Sequence, residues 1–386
     1  QITSNLIGVN SSQSGLNKSA NLTLYNITSL VGPGNRKILR DGVDCPSSIC
    51  TELQDDDTYI FNVTGFTNYS ITGTCGEVIV DSRILEDNLI CPTTGVNIGA
   101  SNIVLDCAGF NITYSVNGSL GYGVSSTGFD NVTVKNCNII EGNTTTDSKY
   151  GINILNAENS SVINNTIITI GSVAHGIVYS NSSLNNVFNN TITTTGLVAY
   201  GIQFDNSSNS LIINNSINSN GSIGVGIISL ANSDLNNIIN NSITTSGNNA
   251  FALYLDSSSG SNITGNNINV TGAGADAFRL YMDSDANMFS DNIILESSGG
   301  IVLDANSSLY PENNTFVNNS FNNIAGYDFY IVDVGINGSW LVDQPVSSYY
   351  INGESIVYFK DSSYGVVEFL EGINGTGSNL SADVFI

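Results

Sequence analysis

The sequence predicts an all-β protein whose central part is a parallel β-helix, a solenoid of short strands stacked coil upon coil. Two independent markers recur together with a period of about 25 residues between residues 95 and 323, which indicates a stacked repeat. Within each unit, apolar residues alternate with small or polar ones, as in half-buried strands. A unit of this length cannot bury its own apolar side chains, so we expect about nine coils in one rod.

The first marker is a glycine that precedes the first strand of each unit. Gly151, Gly176, Gly201 and Gly226 lie 25 residues apart. In the later units Ala252 and Arg279 are predicted to take the glycine position, and Gly300 restores it. Two markers that keep the same period along the chain cannot result from composition alone.

The second marker is an asparagine that follows the second strand of each unit. We assign it to Asn165, Asn190, Asn215, Asn241, Asn267, Asn292 and Asn314. Because a carboxamide both donates and accepts, asparagines at one inward corner can form a ladder of hydrogen bonds along the axis. An isoleucine column follows the asparagines and is expected inside the helix: Ile167, Ile192, Ile217, Ile243, Ile268 and Ile293.

The repeats are flanked by two regions of different composition. Residues 1–74 contain short alternating strands separated by turns, and we interpret them as a small N-terminal β-sandwich. Residues 75–323 form the predicted β-helix. Residues 324–386 lose the repeat, gain aromatic residues and are predicted to form a C-terminal β cap or interface, because an open end of a β-helix exposes unpaired backbone groups. The aromatic residues of this region include Tyr327, Phe329, Tyr330, Trp340, Tyr349, Tyr350, Tyr358, Phe359 and Phe369.

Two segments carry a family resemblance. The stretch GVNIGASNIVLDCAGFNIT at residues 95–113 and the stretch NVTVKNCNII at residues 131–140 resemble repeats of the pectate-lyase-like superfamily, in the variant with Asn-Asn-Thr-Ile units that is found in archaeal and bacterial surface proteins. The resemblance covers about two thirds of the chain and implies a right-handed parallel β-helix. It implies little about function, because this superfamily contains lyases, hydrolases, adhesins and scaffolds.

The charge of the chain argues against some partners. The net charge of −24 arises from 33 acidic residues and only 9 Lys and Arg residues. Nucleic acid and anionic membranes are therefore disfavoured, whereas calcium, cationic surfaces and simple solubility remain open. No apolar run of about 18 residues is present, and no signal peptide precedes Gln1, so we expect a chain that is mature or part of a longer protein. Export is nevertheless favoured by the cysteines and the sequons described next.

The six cysteines are predicted to form three short-range disulfides, which is typical of exported proteins. The expected pairs are Cys45–Cys50, Cys75–Cys91 and Cys107–Cys137, the last joining matching positions of consecutive coils. For this last pair, two stacked buried thiols are the alternative. A zinc site is disfavoured because no Cys-x-x-Cys pair occurs and the chain has one histidine.

Asn-x-Ser/Thr sequons, about 26 in all, also favour export and glycosylation. A composition rich in Asn, Ser and Thr would produce many of them by chance, and those of the Asn-Asn-Thr marker have a structural use. We therefore expect glycans at corner sites rather than at ladder sites. The predicted sites are Asn10, Asn17, Asn21, Asn26, Asn62, Asn68, Asn111, Asn117, Asn131, Asn143, Asn159, Asn181, Asn206, Asn220, Asn262, Asn269, Asn306, Asn337, Asn374 and Asn379.

One column of carboxylates could carry chemistry. Asp205, Asp256, Asp283 and Asp304 are predicted to follow the first strand at the same repeat position, with Leu230 interrupting them. Carboxylates about 5 Å apart would suit a retaining glycosidase or calcium. The favoured interpretation is structural, because aspartates at coil corners accept backbone N–H bonds.

Other candidate residues also have structural explanations. Arg279 is expected to pair with an aspartate of a neighbouring coil, and His175 is expected to join an aromatic column with Tyr150 and Tyr200. We thus predict no catalytic residue, no metal site and no cofactor, with calcium as the one open ligand.

The favoured function is a glycosylated, extracellular structural subunit of a filament, sheath or S-layer-like assembly that associates head to tail. Other surface proteins or glycans are possible partners. The alternatives are a carbohydrate-binding adhesin, with Tyr150, Tyr200, Tyr254 and Tyr281 as stacking platforms for sugar rings, and a polysaccharide lyase or hydrolase.

Overall fold

The fold was analysed in a computed structural model of the chain. The structure describes residues 2–3, 6–8, 17–25, 36–41, 43–55, 58–73, 75–144, 148–304, 311, 314–317, 319–322, 324–325, 329–332, 348–351 and 354–357. All regular elements among them are strands, and none of these residues belongs to a helix that is long and apolar enough to cross a membrane. The predicted all-β class is confirmed.

The N-terminal region contains two antiparallel sheets. Its strands are β1 (Ile2–Thr3), β2 (Leu6–Gly8), β3 (Ala20–Tyr25), β4 (Arg36–Arg40), β5 (Val43–Asp44), β6 (Cys50–Asp55), β7 (Thr58–Val63) and β8 (Asn68–Gly73). One sheet has the order β1-β2-β8-β4-β5 and the other has the order β3-β7-β6. Buried residues of both sheets, among them Tyr59, Phe61 and Tyr69, form one hydrophobic cluster that is separate from the core of the β-helix.

The β-helix begins at β9 (Glu77–Ile79), β10 (Arg83–Ile84) and β11 (Leu89–Ile90). The next coils contain β12 (Val96–Ile98), β13 (Val104–Asp106), β14 (Asn111–Tyr114), β15 (Val124–Thr127), β16 (Thr133–Lys135), β17 (Asn138–Glu141), β18 (Ile152–Leu155), β19 (Ser161–Ile163) and β20 (Thr166–Thr169). The middle coils contain β21 (Ile177–Ser180), β22 (Asn186–Phe188), β23 (Thr191–Thr194), β24 (Ile202–Asp205), β25 (Leu211–Ile213), β26 (Ser216–Ser219), β27 (Val225–Leu230), β28 (Asn237–Ile239) and β29 (Ser242–Thr245). The last coils contain β30 (Phe251–Asp256), β31 (Asn262–Thr264), β32 (Asn267–Val270), β33 (Asp276–Tyr281), β34 (Met288–Ser290), β35 (Ile293–Glu296), β36 (Gly299–Asp304), β37 (Thr315–Val317), β38 (Ser320–Phe321) and β39 (Phe329–Val332).

These strands form three parallel sheets that run along the helix axis. Sheet 1 contains every third strand from β9 to β39, sheet 2 those from β10 to β37, and sheet 3 those from β11 to β38. Each strand pairs with its counterpart one coil away, as Ile177 of β21 pairs with Ile202 of β24. The solenoid of about nine turns is therefore confirmed.

The glycine column is a packing requirement. A Cβ atom at Gly201 would lie 2.4 Å from Cγ2 of Ile217 and 2.5 Å from the carbonyl oxygen of Gly226. Ala252 continues the column, as predicted. The assignment of Arg279 was wrong, because Leu253 pairs with Phe278 and the preceding residue, buried Ala277, therefore occupies the column.

The isoleucine column is buried as predicted, with one correction. The side chains of Ile167, Ile192 and Ile217 are at most 1% exposed. Ile268 pairs with Ile294, whereas Ile293 pairs with Asn267 and points outward. Ile293 takes the outward position that a polar residue holds in the other coils, so the inward side chain lies one residue later than predicted.

A ladder of buried asparagines runs along the axis. The Oδ1 atom of Asn215 accepts two hydrogen bonds from Asn190, one from the backbone N–H at 2.9 Å and one from Nδ2 at 3.0 Å. Nδ2 of Asn215 donates back to the carbonyl of Val187 in the preceding coil. Every polar atom at this corner is thus satisfied. The members of the ladder are Asn165, Asn190, Asn215, Asn241, Asn266, Asn292 and Asn319.

Two predicted members of this ladder were wrong. Asn267 lies in β32 and is exposed, and its neighbour Asn266 occupies the ladder. Asn314 belongs to a second ladder, in which Ser and Asn alternate from Ser160 to Asn287, and its Oδ1 accepts from the N–H of Asn287. A third, all-serine ladder includes Ser182 and Ser207. The sequence pattern revealed one buried ladder, and the described residues form three.

The two ends of the helix differ. In the first coil, the buried Glu77 and Arg83 replace the apolar inward residues of the next coil and form an ion pair. At the other end, β39 extends sheet 1, and β40 (Ser348–Ile351) and β41 (Glu354–Val357) form an antiparallel hairpin. Of the predicted C-terminal aromatic residues, Phe329, Tyr330, Tyr349 and Tyr350 lie in these strands, whereas Tyr327, Trp340, Tyr358, Phe359 and Phe369 lie outside the described residues.

We expect the Asn215→Ala substitution to lower the free energy of unfolding by about 3 kcal/mol, because it leaves two donors of Asn190 and the carbonyl of Val187 without partners. Asn214→Gly is the matched control, since the neighbouring Asn214 is exposed and has a φ of 57° that glycine adopts freely. Denaturant unfolding of both unglycosylated variants measures the difference. Equal stability of the two variants would contradict a stabilising role for the ladder.

Candidate functional site

All six cysteines are paired in three disulfides, as predicted. The Cα atoms are 5.9 Å apart in Cys45–Cys50, 5.2 Å in Cys75–Cys91 and 4.7 Å in Cys107–Cys137. The first bridge lies in the N-terminal region, the second closes the first coil and the third links consecutive coils. No cysteine thiol is therefore left for catalysis or metal binding.

A column of stacked rings, here called the aromatic column, precedes the strands of sheet 1 and is made of Tyr122, Tyr150, His175 and Tyr200. The ring centroids are 5.6, 5.0 and 4.5 Å apart in this order, and the planes of the last two pairs are nearly parallel. His175 therefore lies in an aromatic column, as predicted.

The stacking limits what the aromatic column can bind. Each inner ring covers the face of its neighbour, so the rings of Tyr150 and His175 present edges to solvent. Sugar rings stack on aromatic faces. Tyr150 is therefore not suited to the platform role predicted for it. Of the other predicted platforms, Tyr200 ends the aromatic column. Tyr254 and Tyr281 lie elsewhere, since Tyr254 pairs with Arg279 and Tyr281 pairs with Asp256.

Burial holds His175 neutral. Its Nδ1 atom accepts a hydrogen bond of 2.9 Å from the backbone N–H of Tyr200, which requires the tautomer with the proton on Nε2. Burial lowers the pKa of His175 to about 4, because the charged form is poorly solvated between two tyrosine rings. At neutral pH this imidazole acts as a structural acceptor.

A second cluster lies on the outer side of sheet 1, has mixed character and is here called the acidic patch. It consists of Phe251, Tyr254, Asp256, Asp276, Arg279, Tyr281 and Asp304. Arg279 binds Asp304 of the next coil, with Nε donating to Oδ2 at 3.1 Å and a terminal N–H donating to the same atom. The predicted pairing of Arg279 with an aspartate is therefore found, and this ion pair holds the centre of the patch.

Aromatic rings surround that ion pair. The guanidinium carbon of Arg279 lies 5.0 Å from the ring centre of Phe251, within the range of a cation–π contact. The ring centroids of Phe251 and Tyr254 are 5.8 Å apart, and those of Tyr254 and Tyr281 are 6.3 Å apart. The patch thus combines ring surfaces with charged hydrogen-bonding groups on a flat sheet.

The acidic patch also contains the carboxylates with raised pKa values. Burial raises the pKa of Asp276 to about 6; the nearby Arg279 opposes this shift and Asp304 adds to it. Burial also raises the pKa of Asp256, although the hydrogen bond from Ser257 partly lowers it. The pKa of Tyr254 is likewise raised by burial. Clusters of perturbed groups are typical of functional sites, although ion-pair networks also produce them.

The predicted aspartate column was wrong in part. Asp205, Leu230, Asp256, Tyr281 and Asp304 follow one another along sheet 1, so Tyr281 occupies the position assigned to Asp283. Asp283 lies beyond the end of β33 and is exposed. Asp256 and Asp304 are two coils apart, or about 10 Å between backbones. The expected 5 Å spacing of carboxylates is therefore absent from this column.

A fully buried ion pair was not foreseen from the sequence. Lys149 Nζ lies 2.9 Å from Oε1 of Glu141, and both side chains are inaccessible to solvent. The other carboxylate oxygen of Glu141 accepts N–H bonds from Ile170 and Gly171 of the next coil. Since these contacts satisfy both charged groups, we interpret the pair as structural.

The predicted glycosylation sites differ in exposure. The fully exposed ones are Asn17, Asn21, Asn68, Asn117, Asn131, Asn159, Asn181, Asn206 and Asn220. The partly exposed ones are Asn62, Asn111, Asn143, Asn262 and Asn269. Asn10, Asn26, Asn306, Asn337, Asn374 and Asn379 lie outside the described residues. Occupancy of all of these sites stays a prediction.

His175 predicts a pH dependence of stability. The pKa of His175 is about 4 in the folded state and about 6.5 in the unfolded chain, so the unfolded chain takes up a proton first as the pH falls. The free energy of unfolding should decline by about 3 kcal/mol between pH 6.5 and pH 4. His175→Tyr, which matches Tyr150 and Tyr200, should lack this contribution. Unfolding curves of both proteins at pH 7 and pH 4 test it, and an identical pH response would contradict it.

Two family models match the chain. The model of the right-handed β-helix region matches residues 175–344. The model described as periplasmic copper-binding protein (NosD) matches residues 55–252, which is 198 of the 386 residues. No curated protein matches the sequence significantly.

Several solved structures have a similar overall form. The surface adhesin PfbA of Streptococcus pneumoniae is 15% identical, with 70% of each chain covered and a TM-score of 0.44. The A-module of the Azotobacter vinelandii mannuronan C-5 epimerase AlgE6 is 14% identical over 66% of this chain and 78% of that chain, with a TM-score of 0.39. The DFA-IIIase of Arthrobacter chlorophenolicus A6 is 11% identical over 70% and 64%, with a TM-score of 0.40.

The residues that the structure describes offer copper no thiolate and no cluster of imidazoles. Copper prefers thiolate, thioether and imidazole ligands, but every cysteine is in a disulfide and Nδ1 of the one histidine accepts a backbone N–H. Within the described residues, no three His, Cys, Asp or Glu side chains are grouped as a metal site. The family match extends over more than half of the chain, and the chain therefore belongs to the NosD family of right-handed β-helix proteins.

Proposed function

We propose that this chain is a non-enzymatic structural protein of an extracellular assembly such as a filament, sheath or S-layer, in which the β-helix acts as a rigid rod. The observation that carries the proposal is the set of three side-chain ladders along the axis. They tie each coil to the next in addition to the backbone bonds of the sheets. A scaffold needs such axial continuity, whereas an enzyme needs polar groups free for chemistry.

The distribution of basic residues supports this proposal. Arg83, Lys135, Lys149 and Arg279 are the Lys and Arg residues between residues 75 and 304, and each forms an ion pair. His175 is neutral and bound to the backbone at neutral pH. The described coils therefore lack an unpaired cationic side chain at neutral pH that could serve in catalysis.

Disulfides and the periplasmic family description favour a location outside the cytoplasm, either extracellular or periplasmic. We propose the extracellular location. The many sequons and the small number of Lys and Arg residues agree with a glycosylated exterior. Calcium and surface glycans are proposed ligands, but the structural role does not require either of them.

The ends of the rod limit how it would associate head to tail. An inward ion pair, Glu77–Arg83, occupies the first coil where the next coil has the apolar Val96 and Leu105. Inward charges at a sheet edge oppose the addition of a further strand in register. We therefore propose that axial contacts use the N-terminal sheets and the C-terminal hairpin rather than a continued coil.

Electron microscopy of material from the producing cells tests the assembly. We expect rods joined in filaments, sheaths or lattices that are labelled by an antibody against this chain. Antibody against an unrelated secreted protein of the same cells serves as the control. Dispersed single particles without any ordered array would contradict the proposal.

A second candidate function is carbohydrate binding, and the acidic patch favours it. Tyr281 ends the row of rings formed by Phe251, Tyr254 and Tyr281, and lies beside the Arg279–Asp304 ion pair on the outer side of sheet 1. Saccharides are bound by rings that contact their apolar faces and by charged groups that bind their hydroxyls. A hydrolytic or lyase activity at Asp276 is less favoured, because the one basic side chain of the patch is already paired with Asp304.

Glycan binding by the purified protein tests the acidic patch. Tyr281→Ala should weaken binding of a recognised polysaccharide at least about tenfold, a loss of about 1.4 kcal/mol. Gln203→Ala is the control, because Gln203 also points outward on sheet 1 but lies outside the acidic patch. Equal affinity of both variants would exclude the patch as the binding site. Release of oligosaccharides that is abolished by Asp276→Asn would instead indicate an enzyme.

A further inference from the structure

The outer side of sheet 2 carries an apolar stripe, defined here as Ile163, Phe188, Ile213 and Ile239. These residues occupy the third position of strands β19, β22, β25 and β28 and lie in register on four consecutive coils. All four point outward and are partly exposed. Solvated sheet faces normally carry polar residues, so a continuous apolar stripe needs an explanation.

Each residue of the stripe is followed by an exposed asparagine. These asparagines are Asn164, Asn189, Asn214 and Asn240, and their φ angles lie between 55° and 57°. Each is the first residue of an Asn-Asn-Thr or Asn-Asn-Ser sequence and is therefore the acceptor of a sequon. Their carboxamides make no hydrogen bond to the part of the chain that the structure describes.

The buried ladder does not compete for these acceptors. In each pair the second asparagine, such as Asn190, points inward and forms the ladder, whereas the first, such as Asn189, forms the exposed corner. The sequon hydroxyls of Thr191, Ser216 and Ser242 are on exposed residues as well. Each ladder sequon, at which we did not expect a glycan, thus contains one asparagine that forms the buried ladder and one exposed asparagine that can accept a glycan.

The stripe and the sequons occur on the same coils. At the same position of the flanking coils stand Asp106, Lys135, Thr264 and Ser290, all of them polar. The residues that follow them are Cys107, Asn136, Gly265 and Asp291, and none of these begins an Asn-x-Ser/Thr sequence. Further along, Val317 precedes the sequon Asn318-Asn319-Ser320. Ile84, in the first coil, is apolar without a sequon.

We propose that Asn164, Asn189, Asn214 and Asn240 are N-glycosylated, and that the attached saccharides cover the apolar stripe. The co-reactant is a lipid-diphosphate-linked saccharide. The Nδ2 atom attacks the anomeric carbon, a C–N bond forms, the C–O bond to the diphosphate breaks, and the amide proton leaves with the lipid diphosphate. The apolar face of the first sugar then packs against the residue that precedes each asparagine.

Ring-sized groups fit at the spacing of one coil. Consecutive coils are about 4.8 Å apart, and the rings of the aromatic column stack with centroids 4.5 to 5.6 Å apart. A row of sugars beside the stripe would therefore stack in the same manner. The inference requires a location outside the cytoplasm but no particular assembly, so it can fail independently of the proposed function.

Peptide mass spectrometry of protein from the producing cells tests the modification. We expect saccharide mass on the peptides that contain Asn164, Asn189, Asn214 and Asn240. Bare asparagine at all four positions would overturn the proposal, whether or not the protein forms filaments. Saccharide at Asn117 and Asn220 alone would overturn it too, because those sites lie away from the stripe.

Removing the acceptor hydroxyls tests the covering role. In the producing cells, the combined variant Thr166→Ala, Thr191→Ala, Ser216→Ala and Ser242→Ala should bind a hydrophobic dye several-fold more strongly and self-associate. The control variant Ser119→Ala with Ser222→Ala removes two other exposed sequons and should behave as the wild type. Adding Ile163→Thr, Phe188→Thr, Ile213→Thr and Ile239→Thr to the first variant should restore low dye binding. Dye binding that does not change in the first variant would overturn the covering role.

Discussion

The structure depends on one repeated interaction, the hydrogen bonds that the carboxamide oxygen of each ladder asparagine accepts from the asparagine of the preceding coil. This contact fixes the corner between sheets 2 and 3 at the same height in every coil. Once that corner is fixed, Ile192 and Ile217 align inside the helix. Gly201 can then approach the carbonyl of Gly226 because it lacks a Cβ atom. The ladder thus sets the register on which both apolar and backbone contacts rely.

Much of this architecture could be predicted from the sequence, because a fixed period leaves little freedom in how coils stack. The strands, most of the interior isoleucines and the pairing positions of the cysteines could be predicted from their spacing, although stacked thiols were the alternative for Cys107 and Cys137. The errors arise where a coil departs from its neighbours. In Gly265-Asn266-Asn267 a glycine takes the exposed corner, so the ladder residue is Asn266. In Asn292-Ile293-Ile294 an isoleucine takes the outward position that a polar residue holds in the other coils, so the inward residue is Ile294 rather than Ile293. Counting along the chain cannot detect such local changes.

The outer surface was harder to predict than the interior, because columns on the surface are not marked by burial. The residue types of the acidic patch were recognised, but Asp283 was assigned to a column that Tyr281 occupies. The tyrosines expected to act together belong to separate columns. The buried Lys149–Glu141 pair left no signal in the repeat pattern, since Lys149 lies outside the strands. Features that depart from the repeat, whether on the outer side or in the interior, were therefore the ones that the sequence pattern predicted least well.

Hydrogen exchange of the ladder amides tests most directly whether the asparagine ladder holds the coils in register. The backbone N–H groups of Asn165, Asn190 and Asn215 donate to side chains of the next coil. They should therefore exchange as slowly as the strand amides of Ile192 and Ile217, which open only when coils separate. Exchange of the ladder amides that is orders of magnitude faster than that of these strand amides would contradict the account, because the corners would then open while the sheets stay intact.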